Sequence, residues 1–141
     1  MISILLKGRL GNILFQYAAA RHLAIKHSTD LLLDFNRYGF SHKRPLVKQL
    51  KHFNLVARFD HTIFNGRSCS DQTYTYHEKG HPGFDHQVLL QPDGTCLEGY
   101  FQSEKYFKAI ESTIRDDLKL QANFRFSEAA VMEDKIHYYC Q

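Results

Sequence analysis

Residues 2–12 read ISILLKGRLGN, and this stretch decides the fold. Its first part, Ile2 to Leu6, is a short continuous apolar run, which is typical of a strand buried on both faces of a parallel sheet. From Asn12 onward the apolar residues recur at helical spacing, which predicts an amphipathic helix. A second apolar run, Asp30 to Asp34, follows the helix. Strand, helix and strand in this order predict an α/β fold with a parallel, doubly wound, Rossmann-like sheet and flanking helices.

The turn between the first strand and the helix, GRLGN at residues 8–12, contains two glycines. A turn of this kind before a helix N-terminus brings backbone N–H groups and the positive end of the helix dipole towards an anion. The spacing is neither the G-x-G-x-x-G fingerprint nor a G-x-x-x-x-G-K-[ST] phosphate loop. It leaves two interpretations open, a ligand-facing loop and a plain tight turn.

The composition is that of a folded protein of ordinary size. At 141 residues the chain is expected to form one domain, residues 1–141, with a core of its own. Its aromatic content of 13 % excludes a chain that is disordered by composition. The net charge of +3 is mild and spread along the sequence, so no nucleic-acid partner is expected. The most basic stretches, residues 42–44 and 48–52, fit a solvated face or, as an alternative, a surface that attracts phosphate.

Targeting features favour the cytoplasm. No apolar run is long enough to cross a membrane, and the first residues, MISI, lack the basic start of a signal peptide. The three cysteines, Cys69, Cys96 and Cys140, are odd in number and widely spaced, which favours reduced thiols. We therefore expect a protein that is either free in the cytoplasm or peripheral at the inner face of the membrane.

The middle of the chain gives weaker patterns. Residues 39–44, ended by Pro45, predict a loop, and a short helical stripe follows. Residues 73–77 alternate and are rich in strand-forming types, which predicts a short strand. Residues 95–102 predict another strand, interrupted at Gly99 where a backbone can approach closely.

The last third predicts two helices. Ser103 has the type and position of an N-cap, and apolar residues then recur at helical spacing as far as Leu118. Ser127 is expected to cap a final helix in the same way.

Residues 77–81, HEKGH, match the H-E-x-x-H string of zinc proteases. That chemistry needs both histidines on one face of a helix. Gly80 and Pro82 disfavour a helix here, and the preceding residues favour a strand. His77, His81 and His86 are therefore interpreted as solvated loop residues rather than as a metal site, and no metal is expected.

Two separated segments carry a family resemblance. GRLGN at residues 8–12, followed by FQYA at residues 15–18, resembles the N-terminal signature of the α-1,2-fucosyltransferases of glycosyltransferase family 11. LEGYFQSEKYF at residues 97–107 is similar to the central G-Y-[FW]-Q-S-x-K-Y-F segment of the same family. The resemblance extends from the first strand to about residue 110, and it implies the N-terminal, acceptor-side domain of a GT-B glycosyltransferase.

The resemblance implies a reaction and a set of partners. L-Fucose would pass from GDP-fucose to the 2-hydroxyl of a galactoside with inversion, without metal or other cofactor. The partners would be GDP-fucose, a galactose-containing acceptor glycan and a C-terminal donor domain. Asn12 would be the catalytic residue, placed to position the reacting groups. The residues expected to bind substrate are Gly8, Arg9, Gly11, Asn12, Asp34 and Gln102.

Three of these residues also have a structural alternative. Asn12 can cap the helix, and one side chain cannot fully cap and bind a sugar at the same time. Arg9 can be an ordinary exposed cation. Asp34 ends the second strand, where open α/β sheets bind ligands, but a cap at the loop start explains it equally. Gln102 is chosen because it is polar and ends a predicted strand.

One family element is missing from the sequence. The H-x-R-R-G-D segment that holds the donor nucleotide does not occur, and the Arg-Asp dipeptide of the chain, Arg115-Asp116, lies in a helical pattern. We therefore expect the 141-residue chain by itself to be inactive in transfer. The competing class is a non-catalytic, truncated or degenerate protein that binds a sugar or nucleotide weakly.

Overall fold

The fold is an α/β arrangement built on a five-stranded parallel sheet, seen in a computed structural model that describes residues 1–38, 40–60, 74–80 and 83–121. The spatial order of its strands is β3-β2-β1-β5-β4. The strands are β1 (Ile2–Leu5), β2 (Leu31–Asp34), β3 (Arg58–Asp60), β4 (Tyr74–His77) and β5 (Thr95–Glu98). The helices are α1 (Leu10–Lys26), α2 (Phe40–Leu50) and α3 (Glu111–Asp117), with short 3-10 turns at Val88–Leu90, Glu104–Tyr106 and Lys108–Ile110. The predicted Rossmann-like sheet is confirmed.

The predicted β-α-β unit is present at the start of the chain. β1 and β2 pair in parallel, with Ile2 opposite Leu31 and Leu5 opposite Asp34. Ile2 and Ile4 are fully buried, as expected for a central strand covered on both faces. The helix begins at Leu10 rather than at Asn12, and it packs against β1 and β2.

Three of the sequence predictions were wrong in extent. Residues 40–44 belong to α2 rather than to a loop, and Pro45 lies inside that helix at the cost of one backbone hydrogen bond. β5 ends at Glu98, so residues 99–102 form a loop instead of the end of a strand. The helix predicted after Ser103 is broken into two 3-10 turns before α3, because Phe107 between the turns has non-helical backbone angles, φ −135° and ψ 10°. The Ser103 cap itself is confirmed, since its Oγ accepts from the Lys105 N–H at 3.3 Å.

A buried polar network joins the two ends of the described chain. The Tyr17 hydroxyl donates to Asp117 Oδ2 at 2.7 Å and accepts from the Val56 N–H at 3.0 Å. Arg21 Nε donates to the same Asp117 oxygen at 3.0 Å. Burial raises the pKa of Tyr17 well above its usual value, so the hydroxyl keeps its proton and α3 stays linked to α1.

Cys96, in the buried strand β5, is disulfide-bonded, and its partner lies outside the described residues. The expectation of reduced thiols is therefore wrong for Cys96. Cys69, Cys140, His81 and the helix predicted after Ser127 also lie outside the described residues. Within the described part of the chain, no helix has the length and apolar character needed to cross a membrane.

Candidate functional site

The strand order creates a switch point between β1 and β5. From β1 the chain builds β2 and β3 on one side, whereas β5 and β4 lie on the other side. At such a point the loops after the two central strands diverge, and open α/β sheets bind ligands in the resulting crevice at the carboxyl ends of the strands. The loops concerned are residues 6–9 after β1 and residues 99–103 after β5.

The first loop depends on a close contact between Gly8 and Asn12. Gly8 has a φ of +85°, and a Cβ at this position would lie 2.6 Å from Asn12 Oδ1. That oxygen accepts from the Arg9 N–H at 3.1 Å, so Asn12 secures the start of α1 from within its first turn. The amide oxygen of Asn12 thus has the capping role, and Nδ2 is the group that remains to meet a ligand.

Hydrogen bonds from two further side chains fix the same loop. Buried Gln16 bonds Lys7 twice, accepting from its N–H at 3.0 Å and donating to its carbonyl at 2.8 Å. The Tyr38 hydroxyl donates to the Gly8 carbonyl at 2.7 Å. Burial, and to a lesser degree the nearby Tyr100, raise the pKa of Tyr38 well above its usual value, so it remains a donor. The loop is therefore preorganised, with Gly8 and Arg9 exposed and Gly11 buried in the first turn of α1.

The second loop is strained. Phe101 is fully buried with a φ of +51°, a left-handed conformation that is unusual for a bulky residue. Its N–H donates to Glu78 Oε2 at 2.6 Å, which holds the backbone in place. Gly99 is required beside it, because a Cβ there would lie 2.5 Å from the Glu78 Cβ. Strain that the surroundings enforce in this way is concentrated at functional sites.

The strained loop places Tyr100 and Gln102 at the carboxyl edge. Tyr100 is 37 % exposed, and the Lys7 ammonium lies 4.5 Å from its ring centroid. This cation–π contact joins the two loops across the switch point. Gln102 lies exposed in the loop and does not end a strand, so the strand-end prediction for it was wrong although its edge of the sheet is as expected.

The sequence predictions missed a cluster of charged side chains at this edge. Glu98, the last residue of β5, is 13 % exposed and forms an ion pair with Arg37, which follows β2. His77 Nδ1, at the end of β4, lies 3.4 Å from the other oxygen of Glu98. The signal was present in the sequence, because each of these residues ends or follows a parallel strand.

Asp34 has the structural role that the sequence left open. It is fully buried at the end of β2, and its Oδ1 accepts from the Asn36 N–H at 2.8 Å. That bond shapes the turn which carries Arg37 and Tyr38 to the edge. Asp34 thus contributes to the site by shaping the turn after β2.

A buried carboxylate supports the β4 side of the site. Burial tends to raise the pKa of Asp85, but bonds from the Lys79 N–H, the Tyr76 hydroxyl and the Gln87 N–H outweigh it, and the net pKa lies below the usual value. Asp85 in turn donates its own N–H to the Tyr106 hydroxyl at 2.8 Å. Burial raises the pKa of both Tyr76 and Tyr106 to about 12, so both hydroxyls are neutral donors or acceptors at neutral pH.

The H-E-x-x-H string does not form a helix where the structure describes it. His77 ends a strand, and Glu78 and Lys79 follow outside any helix or strand. Across residues 1–38, 40–60, 74–80 and 83–121, no group of three or more His, Cys, Asp or Glu side chains is arranged to hold a metal ion.

Comparisons with protein-family models, with curated proteins and with solved structures found no match to this chain. The functional assignment therefore rests on the residues of the site and on the resemblance of its two segments.

Proposed function

We propose that this chain is the acceptor-side half of a GDP-fucose-dependent α-1,2-fucosyltransferase that acts on galactosides. One observation carries the proposal. The two segments on which the resemblance depends, residues 8–18 and 97–107, are far apart in sequence. The first follows β1 and the second begins within β5, and these two strands pair across the switch point.

Contacts between these segments support their forming one site. Lys7, next to the first segment, lies over the Tyr100 ring of the second. Further along, Phe15 and Phe107 lie with their ring centroids 6.1 Å apart. A structural role alone explains the aromatic pair, whereas Arg9 and Gln102 lie exposed at the same edge of the sheet.

The proposed reaction joins two substrates by in-line displacement. The 2-hydroxyl oxygen of the galactoside bonds to C1 of fucose as the bond from C1 to the diphosphate oxygen breaks, and the hydroxyl proton passes to a base. The departing GDP gains negative charge, which N–H groups and cations at a helix N-terminus can stabilise. In this chain that environment is the exposed Gly8–Arg9 turn, with Asn12 Nδ2 beside it.

The alternative is a non-catalytic sugar- or nucleotide-binding module. The first test is an NMR titration of the ¹⁵N-labelled chain with methyl β-D-galactopyranoside, with GDP, and with methyl α-D-mannopyranoside as the control sugar. We expect the galactoside to shift the amide signals of residues 99–103, GDP to shift those of residues 8–12, and the mannoside to shift neither set. Absence of galactoside binding would contradict the proposal.

Transfer is tested with radiolabelled GDP-fucose and lactose. The chain alone is expected to show no useful turnover, because catalysis requires preorganised groups on both sides of the cleft. The same assay on a product that includes any coding sequence following Gln141 separates the two functions. Binding without transfer in a product containing an H-x-R-R-G-D segment would favour the non-catalytic module.

A further inference from the structure

Six side chains from four different strand ends lie together at the carboxyl edge, and we refer to them as the edge cluster. Glu98 pairs with Arg37 and lies close to His77, and the Lys7 ammonium lies over the Tyr100 ring. Tyr38 follows Arg37 in the turn after β2. The members are Lys7, Arg37, Tyr38, His77, Glu98 and Tyr100.

We propose that the edge cluster is the pyranose-binding part of the site, in which the sugar ring of a neutral galactoside stacks on Tyr100 and its hydroxyls bind Glu98 and Arg37. This inference rests on the proposed function and adds the residues that would recognise the acceptor.

The hydrogen-bonding chemistry of the cluster suits a sugar hydroxyl. An ionised Glu98 only accepts, and the Arg37 guanidinium only donates. A hydroxyl does both, so it can donate to the carboxylate and accept from the guanidinium at the same time. The two charges are already paired with each other, so they do not favour a charged ligand over a neutral one.

The aromatic member supplies the second half of the recognition. One face of a pyranose is formed by C–H groups, which pack against an aromatic ring, and small-ligand sites combine such apolar surface with a few placed polar groups. Tyr100 is 37 % exposed at this edge and lies only two residues beyond Glu98 in the chain. Arg37 contacts Glu98, and the adjacent Tyr38 contacts Gly8. The turn after β2 therefore contacts both the end of β5 and the loop after β1.

The loop that carries Tyr100 is fixed before any ligand binds. The left-handed backbone at Phe101 is held by the 2.6 Å bond to Glu78, and Gly99 permits the close approach. A fixed aromatic side chain loses little conformational freedom on binding, which favours affinity. Glu78 is therefore a positioning residue of the proposed site.

The chain provides a matched control for Tyr100. Tyr74 is also an exposed tyrosine, at 47 %, but it begins β4 and so lies at the opposite edge of the same sheet. Tyr100→Ala and Tyr74→Ala remove the same side chain from comparably exposed positions.

The experiment titrates methyl β-D-galactopyranoside, and separately GDP, into the full ¹⁵N-labelled chain and into three variants. We expect Tyr100→Ala and Glu98→Gln to weaken galactoside binding by about tenfold each, which equals about 1.4 kcal/mol, the size of an aromatic contact or a charged hydrogen bond. Tyr74→Ala should bind the galactoside like the original chain. GDP binding should be unchanged in all three variants, and their amide spectra should show a retained fold.

The outcomes separate this inference from the proposed function. If the original chain binds the galactoside and both edge variants bind it equally well, the edge cluster is not the sugar site although the proposed function stands. If the original chain binds no galactoside, both proposals are wrong. If Tyr100→Ala does not fold, two other variants take its place: Tyr100→Phe, which keeps the aromatic ring, and Tyr100→Leu, which removes the ring. Equal galactoside affinity in Tyr100→Phe and Tyr100→Leu would overturn the stacking role.

Discussion

The contact between Gly8 and Asn12 yields a prediction with a worked magnitude. In Gly8→Ala the new Cβ would lie 2.6 Å from Asn12 Oδ1, 2.8 Å from its Cγ and 2.9 Å from its Cβ. The Asn12 side chain must therefore rotate away and give up its bond to the Arg9 N–H, and the backbone must also shift slightly to clear the Asn12 Cβ. The lost cap costs about 1 kcal/mol. The φ of +85° adds about 1 kcal/mol of left-handed strain for a residue with a Cβ. Gly8→Ala should therefore lower the free energy of unfolding by at least about 2 kcal/mol.

The chain contains a control that separates the two costs. Gly94 has nearly the same φ, +86°, but a Cβ there would have no neighbour within 4 Å. Gly94→Ala should thus show the strain alone, about 1 kcal/mol. Asn12→Ala should show the cap alone, also about 1 kcal/mol.

The decisive comparison is the double variant, measured by urea unfolding followed by far-UV circular dichroism at pH 7. Because the cap can be lost only once, Gly8→Ala with Asn12→Ala should be as stable as Gly8→Ala alone. If the double variant is less stable than Gly8→Ala by the full effect of Asn12→Ala, the two residues act independently. In that case the Gly8 hydrogen atom is not what allows Asn12 to cap the helix, and the coupling proposed for the loop is refuted.

Two further predictions concern buried polar groups. Tyr17→Phe removes the hydroxyl that bonds Asp117 and Val56, and it should lower the free energy of unfolding by about 2 kcal/mol in the same urea assay. An unchanged unfolding midpoint would show that this network does not contribute to stability. Asp85 has a folded-state pKa below that of the unfolded chain, so its contribution is complete above about pH 4 and is lost as the pH falls further. The stability of the original chain should therefore fall more steeply below about pH 4 than that of Asp85→Asn, and parallel pH curves would contradict the assignment.

The parts of the fold that depend on local pattern could be predicted from the sequence. The apolar run of β1, the glycine turn and the helical period of α1 act over neighbouring residues, and the structure confirms all three. The predictions for α2 and β5 were wrong because tertiary packing overrode the local signals. Pro45 is accommodated inside a helix, and Gly99 ends a strand where Glu78 comes close.

The location of the candidate site could be predicted from the sequence better than the set of residues that form it. Gly8, Arg9 and Asn12 follow β1 at the expected edge, because a parallel sheet fixes where its loops lie. The pairing of Glu98 with Arg37 and His77 could not be derived, since it joins residues from three strand ends whose order in the sheet the sequence did not specify.

The pairing of β1 with β5 has a consequence for how the protein folds. Ser3 lies opposite Cys96 and Ile4 opposite Leu97, so this central ladder closes a very long loop of chain. β1 and β2, by contrast, need only the single helix between them to meet. Long-range pairings form late because the entropy of loop closure must be overcome before they are stabilised. During synthesis, the first β-α-β unit can therefore assemble while the crevice is still absent, and the ability to bind a ligand arises only when β5 enters the sheet.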